Sequence, residues 1–402
     1  MTLSPPQPLF PVRPLGYASR IVIVGGGFGG LYTALYLQRY RHLKHCSITL
    51  IEPREHFLFT PLLYEVLTEE LLLWEVAPPY KTLLTGTNIK WQRDWAERID
   101  LEQQRVTLRQ GKTIVYDFLV MATGAQTRPL PVPGIEKYAM TFRSLEDVVQ
   151  VKARLDSLAQ ATHPIAVTVI GAGASGVELA AKVADRLGKK VQVRLVDRGD
   201  QILKPFPKGL QRKAMHALME RNVEILLKTE INAVGPETVQ LDGMELPSHL
   251  TLWATGTEPV PWIGSPVQTN DHGQVWVRPT LQLKDYFNVF VVGDVAAQTH
   301  PTPNTAQAAY QGAAAAAKNL AKITQQRQPK VFRYLHLGDM LTLGKGTGGV
   351  WSFGFSVGGK LGGIIRRAVY IHRLPTNQHR IKVARRALKQ LGRAIWPFGG
   401  RH

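Results

Sequence analysis

The chain has 402 residues, 44% of them hydrophobic, enough for two or three domains with sizeable cores. A single cysteine, Cys46, excludes a disulfide framework, a CxxC redox pair and a cysteine-based zinc site, and no His, Asp and Glu cluster has metal spacing, so no metal is expected. The formal charge of +19 is uneven: 12 of the 49 Lys and Arg follow Leu341, where no acid occurs, leaving 37 basic against 30 acidic residues elsewhere.

The opening residues MTLSPPQPLFPVRP are proline-rich and read as a disordered arm over 1–19. They lack the basic start and apolar stretch of a secretory signal, and no apolar run in the chain is long enough for a membrane-spanning helix. RIVIV at 20–24 then reads as a buried parallel strand, and GGGFGG follows with Gly25, Gly27 and Gly30 in G-x-G-x-x-G spacing. Phe28 begins a predicted helix, and the next strand, ITLIE, ends at Glu52, twenty-two residues after Gly30. The glycines allow a tight turn and close approach of backbone to a pyrophosphate. The helix start offers free N–H groups, and the strand-tip acid can accept ribose hydroxyls.

The same unit recurs. VTVI leads into GAGASG with Gly171, Gly173 and Gly176; the helix VELAAKVADRLG follows; VQVRLVD ends at Asp197, twenty-one residues after Gly176. Two complete copies imply two bound dinucleotides, where one glycine pattern alone would be an ordinary turn. LVMATG, ending at Thr123 and Gly124, and LWATG, ending at Thr255 and Gly256, are short repeats that each close a strand. FNVFVVGDVA runs another strand into Gly293 and Asp294. TPNTAQAAYQG then predicts an alanine-rich helix capped by Thr305 or Asn304, with Gln307 and Gln311 on one face. A solvent-exposed polar pair is the alternative for these two carboxamides.

In the basic tail, WSFGFSVGG predicts one strand with Trp351, Phe353 and Phe355 on a single face. LGGIIRRAVYIHRLP is a short amphipathic candidate. QHRIKVARRALKQLGRAIW is a longer one, with Ile381, Ala384, Leu388, Leu391 and Ile395 as an apolar stripe. Lys382, Arg385, Arg386, Lys389 and Arg393 take the other faces, and Trp396 sits at the end, a pattern suited to a bilayer interface. Packing of the stripe on the core or on a second subunit is the alternative. No nucleic-acid-binding module accompanies the charge, so nucleic acid is not an expected partner.

GGGFGG, HFLFTPLLYEVLTEELLLWEVAPP, GAGASGVELA, VFVVGDVA and TPNTAQAAYQG together resemble the two-dinucleotide-binding flavoproteins. Within these, the chain over about 20–400 is similar to the type II NAD(P)H:quinone oxidoreductases, in particular their cyanobacterial and plastid demethylphylloquinone-reducing branch. The resemblance implies an α/β fold of two Rossmann-like dinucleotide-binding domains. The FAD domain would span 20–145 and 280–335, with an NAD(P)H domain, 146–279, inserted; 336–402 would be a membrane-contact segment. It implies FAD at the first cradle and NADPH or NADH at the second, with Thr60, Pro61 and Leu62 lining the flavin and Asp294 accepting a ribityl hydroxyl. Glu178 would lie by the nicotinamide and flavin, although a dipole-favoured helix glutamate is the alternative. Gln307, Tyr310 and Gln311 would face a prenylated quinone.

Asp197 disfavours a 2′-phosphate while the adjacent Arg198 could pair with one, so the nucleotide stays open, with NADPH favoured by the branch. The expected location is peripheral, on the cytoplasmic face of a thylakoid or plasma membrane in a photosynthetic cell, in contact with anionic lipid; homodimerisation is open. Two rivals stand: a reductase of a ferredoxin- or rubredoxin-type protein, and a non-enzymatic flavoprotein redox sensor.

Overall fold

The computed structural model describes residues 19–128 and 131–395. The proline-rich arm to residue 18 and Trp396 lie outside the described residues, as do the side chains of Leu391 and Ile395. The elements that matter below are, in chain order, β1 (Arg20–Val24), α1 (Phe28–Leu37), β2 (Ser47–Ile51), β3 (Ile89–Gln92), β4 (Phe118–Met121), β5 (Ala139–Met140), α2 (Leu145–Ala159), β6 (Ile165–Ile170), α3 (Ala174–Leu187) and β7 (Val191–Asp197). They continue with α4 (Lys208–Met219), β8 (Glu224–Leu227), β9 (Leu250–Trp253), β10 (Gln282–Leu283), β11 (Tyr286–Val291), α5 (Ala306–Ile323), β12 (Asp339–Thr342), β13 (Gly348–Ser352), β14 (Phe355–Val357), α6 (Gly359–Arg373) and α7 (Asn377–Ile395). They fall into two compact units, one of the described residues within 1–53, 86–124 and 261–332, the other of those within 54–85, 125–260 and 333–402.

In the first unit a six-stranded sheet has the order β10-β11-β4-β1-β2-β3. All pairs are parallel except β10 with β11. Ile21, Val22, Ile23 and Val24 of β1 are buried, as a central strand covered on both faces requires. The helix after the first glycine run packs on α5. Thr305 caps α5 by accepting the Ala308 N–H at 3.2 Å, so Thr305 rather than Asn304 is the cap. Ala308, Ala309, Gly312, Ala313, Ala316 and Ala317 are buried. The small residues therefore let α5 sit close in its own core, and Gln307 and Gln311 remain half-buried beside that face.

In the second unit a five-stranded parallel sheet has the order β8-β7-β6-β9-β5. Ser144 and Asp147 form a capping box at the start of α2. The tail begins with the antiparallel meander β12-β13-β14. Here the structure corrects the sequence reading. Ser352 pairs with Phe355, so Phe353 and Gly354 form a two-residue hairpin turn with φ of 47° and 88°. Trp351, Phe353 and Phe355 therefore do not share a strand face. The meander packs on α4 and α6.

The last helix, α7, also differs from the single stripe expected. It buries His379, Val383 and Ala387 at four-residue steps, while Ile381 (50% exposed) and Leu388 (67%) face outward. Arg386 pairs with the buried Glu75 carboxylate rather than standing on an outer face.

Candidate active site

The first cradle lies in the first unit. Gly25 has φ of 95°, and a Cβ there would lie 2.4 Å from the Ala122 carbonyl oxygen. A Cβ on Gly30 would lie 1.7 Å from the Gly25 carbonyl oxygen. Gly27 is different: it is the N-cap of α1, nothing lies within 4 Å of where its Cβ would be, and no side chain caps the helix. A helix start without a side-chain cap is where backbone N–H groups and the helix dipole favour a phosphate. Phe28 opens the helix and stacks on Tyr32, which also lies 6.1 Å from Tyr310. The buried Glu52 accepts the Gly26 N–H at 2.7 Å. Thr123 and Gly124 come after β4 with Ala122 between, and Gly293 and Asp294 form the turn after β11.

The second cradle repeats these relations in the second unit. Gly171 has φ of 108°, and its Cβ would meet Thr255 Cγ2 at 2.3 Å; a Cβ on Gly176 would lie 1.7 Å from the Gly171 oxygen. Gly173 is the N-cap of α3 and is open. Asp197 accepts the Ala172 and Gly199 N–H groups, both at 2.6 Å, and Arg198 is exposed beside it. Gly256 follows Thr255 with φ of 70°. The two ATG repeats thus have matching positions: each strand end abuts the first glycine of its cradle.

The charged cluster of the second unit was only partly visible in sequence. Glu178 lies in the second turn of α3 and is buried. It accepts the Thr342 N–H at 2.8 Å and lies 3.3 Å from Arg366 Nη2. Arg366, itself buried, also pairs with Glu65 and donates to the Pro61 carbonyl. Thr60, Pro61 and Leu62 open the short helix Thr60–Val66 that carries Glu65. Burial raises the Glu178 carboxyl, Arg366 and the Thr342 N–H pull it back, and Glu65 adds to the rise; the result is a pKa of about 7. Burial and the nearby Glu178 push the Tyr64 phenol up.

One turn along α3, the fully buried Lys182 pairs with Glu70, which also accepts the Gly346 N–H at 2.7 Å. Asp185 accepts the Lys345 N–H. Three carboxylates, Glu178, Glu70 and Asp185, thereby hold the 342–346 turn. Lys182 and Asp185 had a sequence signal, the helical spacing from Glu178. Arg366 had none, because it reads as one more cation of the basic tail.

The family described as pyridine nucleotide-disulphide oxidoreductase matches residues 19–313. Demethylphylloquinone reductase NdbB of Synechocystis sp. is 37% identical, over 90% of this chain and 94% of its own length. The Arabidopsis thaliana protein named alternative NAD(P)H-ubiquinone oxidoreductase C1, chloroplastic/mitochondrial, is 32% identical over 90% of this chain and 79% of its length.

The chain belongs to the type II NAD(P)H:quinone oxidoreductases. NDH2 of Plasmodium falciparum, solved with NADH, shares the fold with a TM-score of 0.81 at 18% identity, covering 91% of this chain and 96% of that one. This flavoprotein class uses FAD and NAD(P)H. The residues present fit two such groups: each cradle has an uncapped helix start, an open N-cap glycine and an acid at the neighbouring strand tip. Despite the wider family's name, the lone, buried Cys46 provides no disulfide for electron transfer.

Proposed function

We propose that this oxidoreductase passes hydride equivalents from NAD(P)H to a membrane prenylquinone, with demethylphylloquinone or a related naphthoquinone as the substrate. The observation that carries this reading is Glu178, a buried carboxyl with a pKa of about 7 on the helix that begins at the second cradle. Such a group can hold a proton at neutral pH and release it to a quinone oxygen as the quinol forms. The relative at 37% identity is named for demethylphylloquinone, which supports the substrate class.

Bound FAD supplies two-electron acceptance from the nicotinamide and delivery to the quinone. The residues proposed to hold it are Gly25, Gly27, Phe28, Gly30, Glu52, Thr60, Pro61, Leu62, Thr123, Gly124, Gly293 and Asp294. Those proposed for NAD(P)H are Gly171, Gly173, Gly176, Asp197, Arg198, Thr255 and Gly256. The six-stranded sheet takes its strands from 20–145 and 280–335, and four of the five strands of the other sheet lie in 146–279, which supports an FAD domain with an inserted NAD(P)H domain. Gln307, Tyr310 and Gln311 orient the quinone, the carboxamides donating to its oxygens.

The tail, 336–402, provides contact with an anionic membrane surface. Phe353 (72% exposed) and Phe355 (78%) at the hairpin, Leu361 and Ile364 on α6, and Ile381 and Leu388 on α7 are outward apolar groups among Lys and Arg. Among the described residues no helix is long and apolar enough to cross a membrane. The proposed setting is the cytoplasmic face of a thylakoid or plasma membrane.

Anaerobic addition of NADPH or NADH should bleach the flavin, and a prenylated naphthoquinone should restore its absorbance rapidly. Bleaching that only an acidic ferredoxin reverses would replace the quinone reading with a protein acceptor. Gln307→Ala should raise the quinone KM more than the nucleotide KM; equal effects would remove the carboxamides from the quinone face.

A further inference from the structure

Glu178 meets a cation that is already taken. Arg366 Nη1 is paired with Glu65 Oε1, and only Nη2 approaches Glu178, at 3.3 Å. All three side chains are buried, so two carboxylates face one guanidinium. The remaining groups around Glu178 do not supply a second free positive charge. On its own helix Lys182 is paired with Glu70. From β12 it receives the Thr342 N–H. From the 60–66 helix come Glu65 and the Tyr64 phenol, which bonds Ser175 and feels the charge of Arg143. From α6 come Arg366 and, over its guanidinium, the Tyr370 ring. Glu65 Oε2 and Arg366 Nε are buried without a hydrogen-bond partner, and apart from Glu65 the guanidinium meets the neutral Pro61 carbonyl and Glu178.

A guanidinium paired to one carboxylate presents nearly a neutral dipole to a second, and in a buried site an uncompensated third charge is costly. We propose that Glu65 sets the protonation state of Glu178 by occupying the charge of Arg366, which makes Glu65 and Arg366 positioning residues that act through Glu178. This deepens the proposed role of Glu178 and rests on that reading for its catalytic meaning. The arrangement has a directional consequence. Removing the Glu65 charge frees Arg366 to hold Glu178 ionised. Removing the Arg366 charge leaves Glu178 facing Glu65 alone and favours its neutral form.

The test is a pH titration of the FAD-loaded enzyme by infrared spectroscopy with 13C-labelled glutamate. Wild type should show a protonated-carboxyl band that is lost with a midpoint of about 7 and is absent from Glu178→Gln. Glu65→Gln should lower that midpoint by at least ~1 pH unit, and Arg366→Met should raise it by at least ~1. Arg366→Lys keeps the charge and should restore a midpoint near wild type, and Glu65→Asp should do the same if the Gln variant does not fold. Midpoints that stay put, or that move in the same direction in Glu65→Gln and Arg366→Met, overturn the proposal. The kcat–pH profile with a soluble naphthoquinone, measured on the same variants, separates the two ideas. Opposed infrared shifts with an unmoved profile uphold the Glu65–Arg366 control and remove Glu178 from catalysis.

Discussion

The two glycine-rich cradles are nearly superimposable in their constraints and differ in the helix each one starts. Gly25 and Gly171 have positive φ, Gly30 and Gly176 would each drive a Cβ to 1.7 Å from a carbonyl oxygen, and Gly27 and Gly173 are open. The helix from the first cradle, FGGLYTALYL, carries no charged residue and serves its sheet and α5. The helix from the second, ASGVELAAKVADRL, buries Glu178 and Lys182 against other parts of its own unit. Binding a dinucleotide fixes the start of such a helix and leaves its later turns free to take on a second task. Only the second copy has done so.

The largest effects should come from breaking the shared part. Gly30→Ala and Gly176→Ala each need a main-chain shift, so each should abolish its own site. Gly30→Ala should purify without flavin colour. Gly176→Ala should stay yellow and lose at least ~100-fold in kcat/KM for NAD(P)H. Loss of flavin from both would show that the two cradles do not divide the nucleotides.

The next test isolates the part that is not shared. The Glu178 carboxyl is raised from 4.5 to about 7, so its neutral form is favoured in the folded chain. Its contribution is fully present below pH 4.5 and is lost as pH rises through 7. Urea denaturation across this range should show wild type losing about 3 kcal/mol that Glu178→Gln does not lose. Parallel curves for the two proteins would mean that burial does not hold the proton there.

Asp197→Asn tests how the second cradle selects its nucleotide. It should move the kcat/KM ratio toward NADPH by ~10-fold, because a neutral side chain no longer repels a 2′-phosphate. An unchanged ratio would leave the choice to groups other than the strand-tip acid. The smallest effects concern capping. Thr305→Ala should cost about 1 kcal/mol, since α5 uses its cap. Gly173→Ser should instead raise nucleotide-free stability by about a few tenths of a kcal/mol while weakening NAD(P)H, because the new hydroxyl competes for the same N–H groups. Tighter NAD(P)H binding in Gly173→Ser would mean that the helix start does not receive the phosphates.

What was legible in the sequence was local. Glycine spacing, strand-tip acids and the Thr305 cap all act within about thirty residues of chain, the span of a β-α-β unit. The hairpin at Phe353 was missed because two-residue turns with positive φ are dominated by Asn, Asp and Gly, and an aromatic pair flanking one glycine reads as a continuing strand. The inner face of α7 was missed because Val383 and Ala387 are smaller than the exposed Ile381 and Leu388, so the larger residues drew the stripe. Glu65 and Arg366 are 301 positions apart, and no periodicity links residues at that distance.

The turn at 342–346 bears on how the protein is made. Its N–H groups end on Glu178, Asp185 and Glu70, which precede their partners by 164, 160 and 276 residues. A ribosome adding about 5–20 residues per second needs roughly ten to thirty seconds to travel from Asp185 to Lys345. Through that interval Glu178, Lys182 and Asp185 wait on a helix whose covering turn does not yet exist, and their hydration can be surrendered only when the late segment arrives. The glycines of the second cradle can meet their partners once Thr255 is made; the charges beside it are sealed only near the end of synthesis.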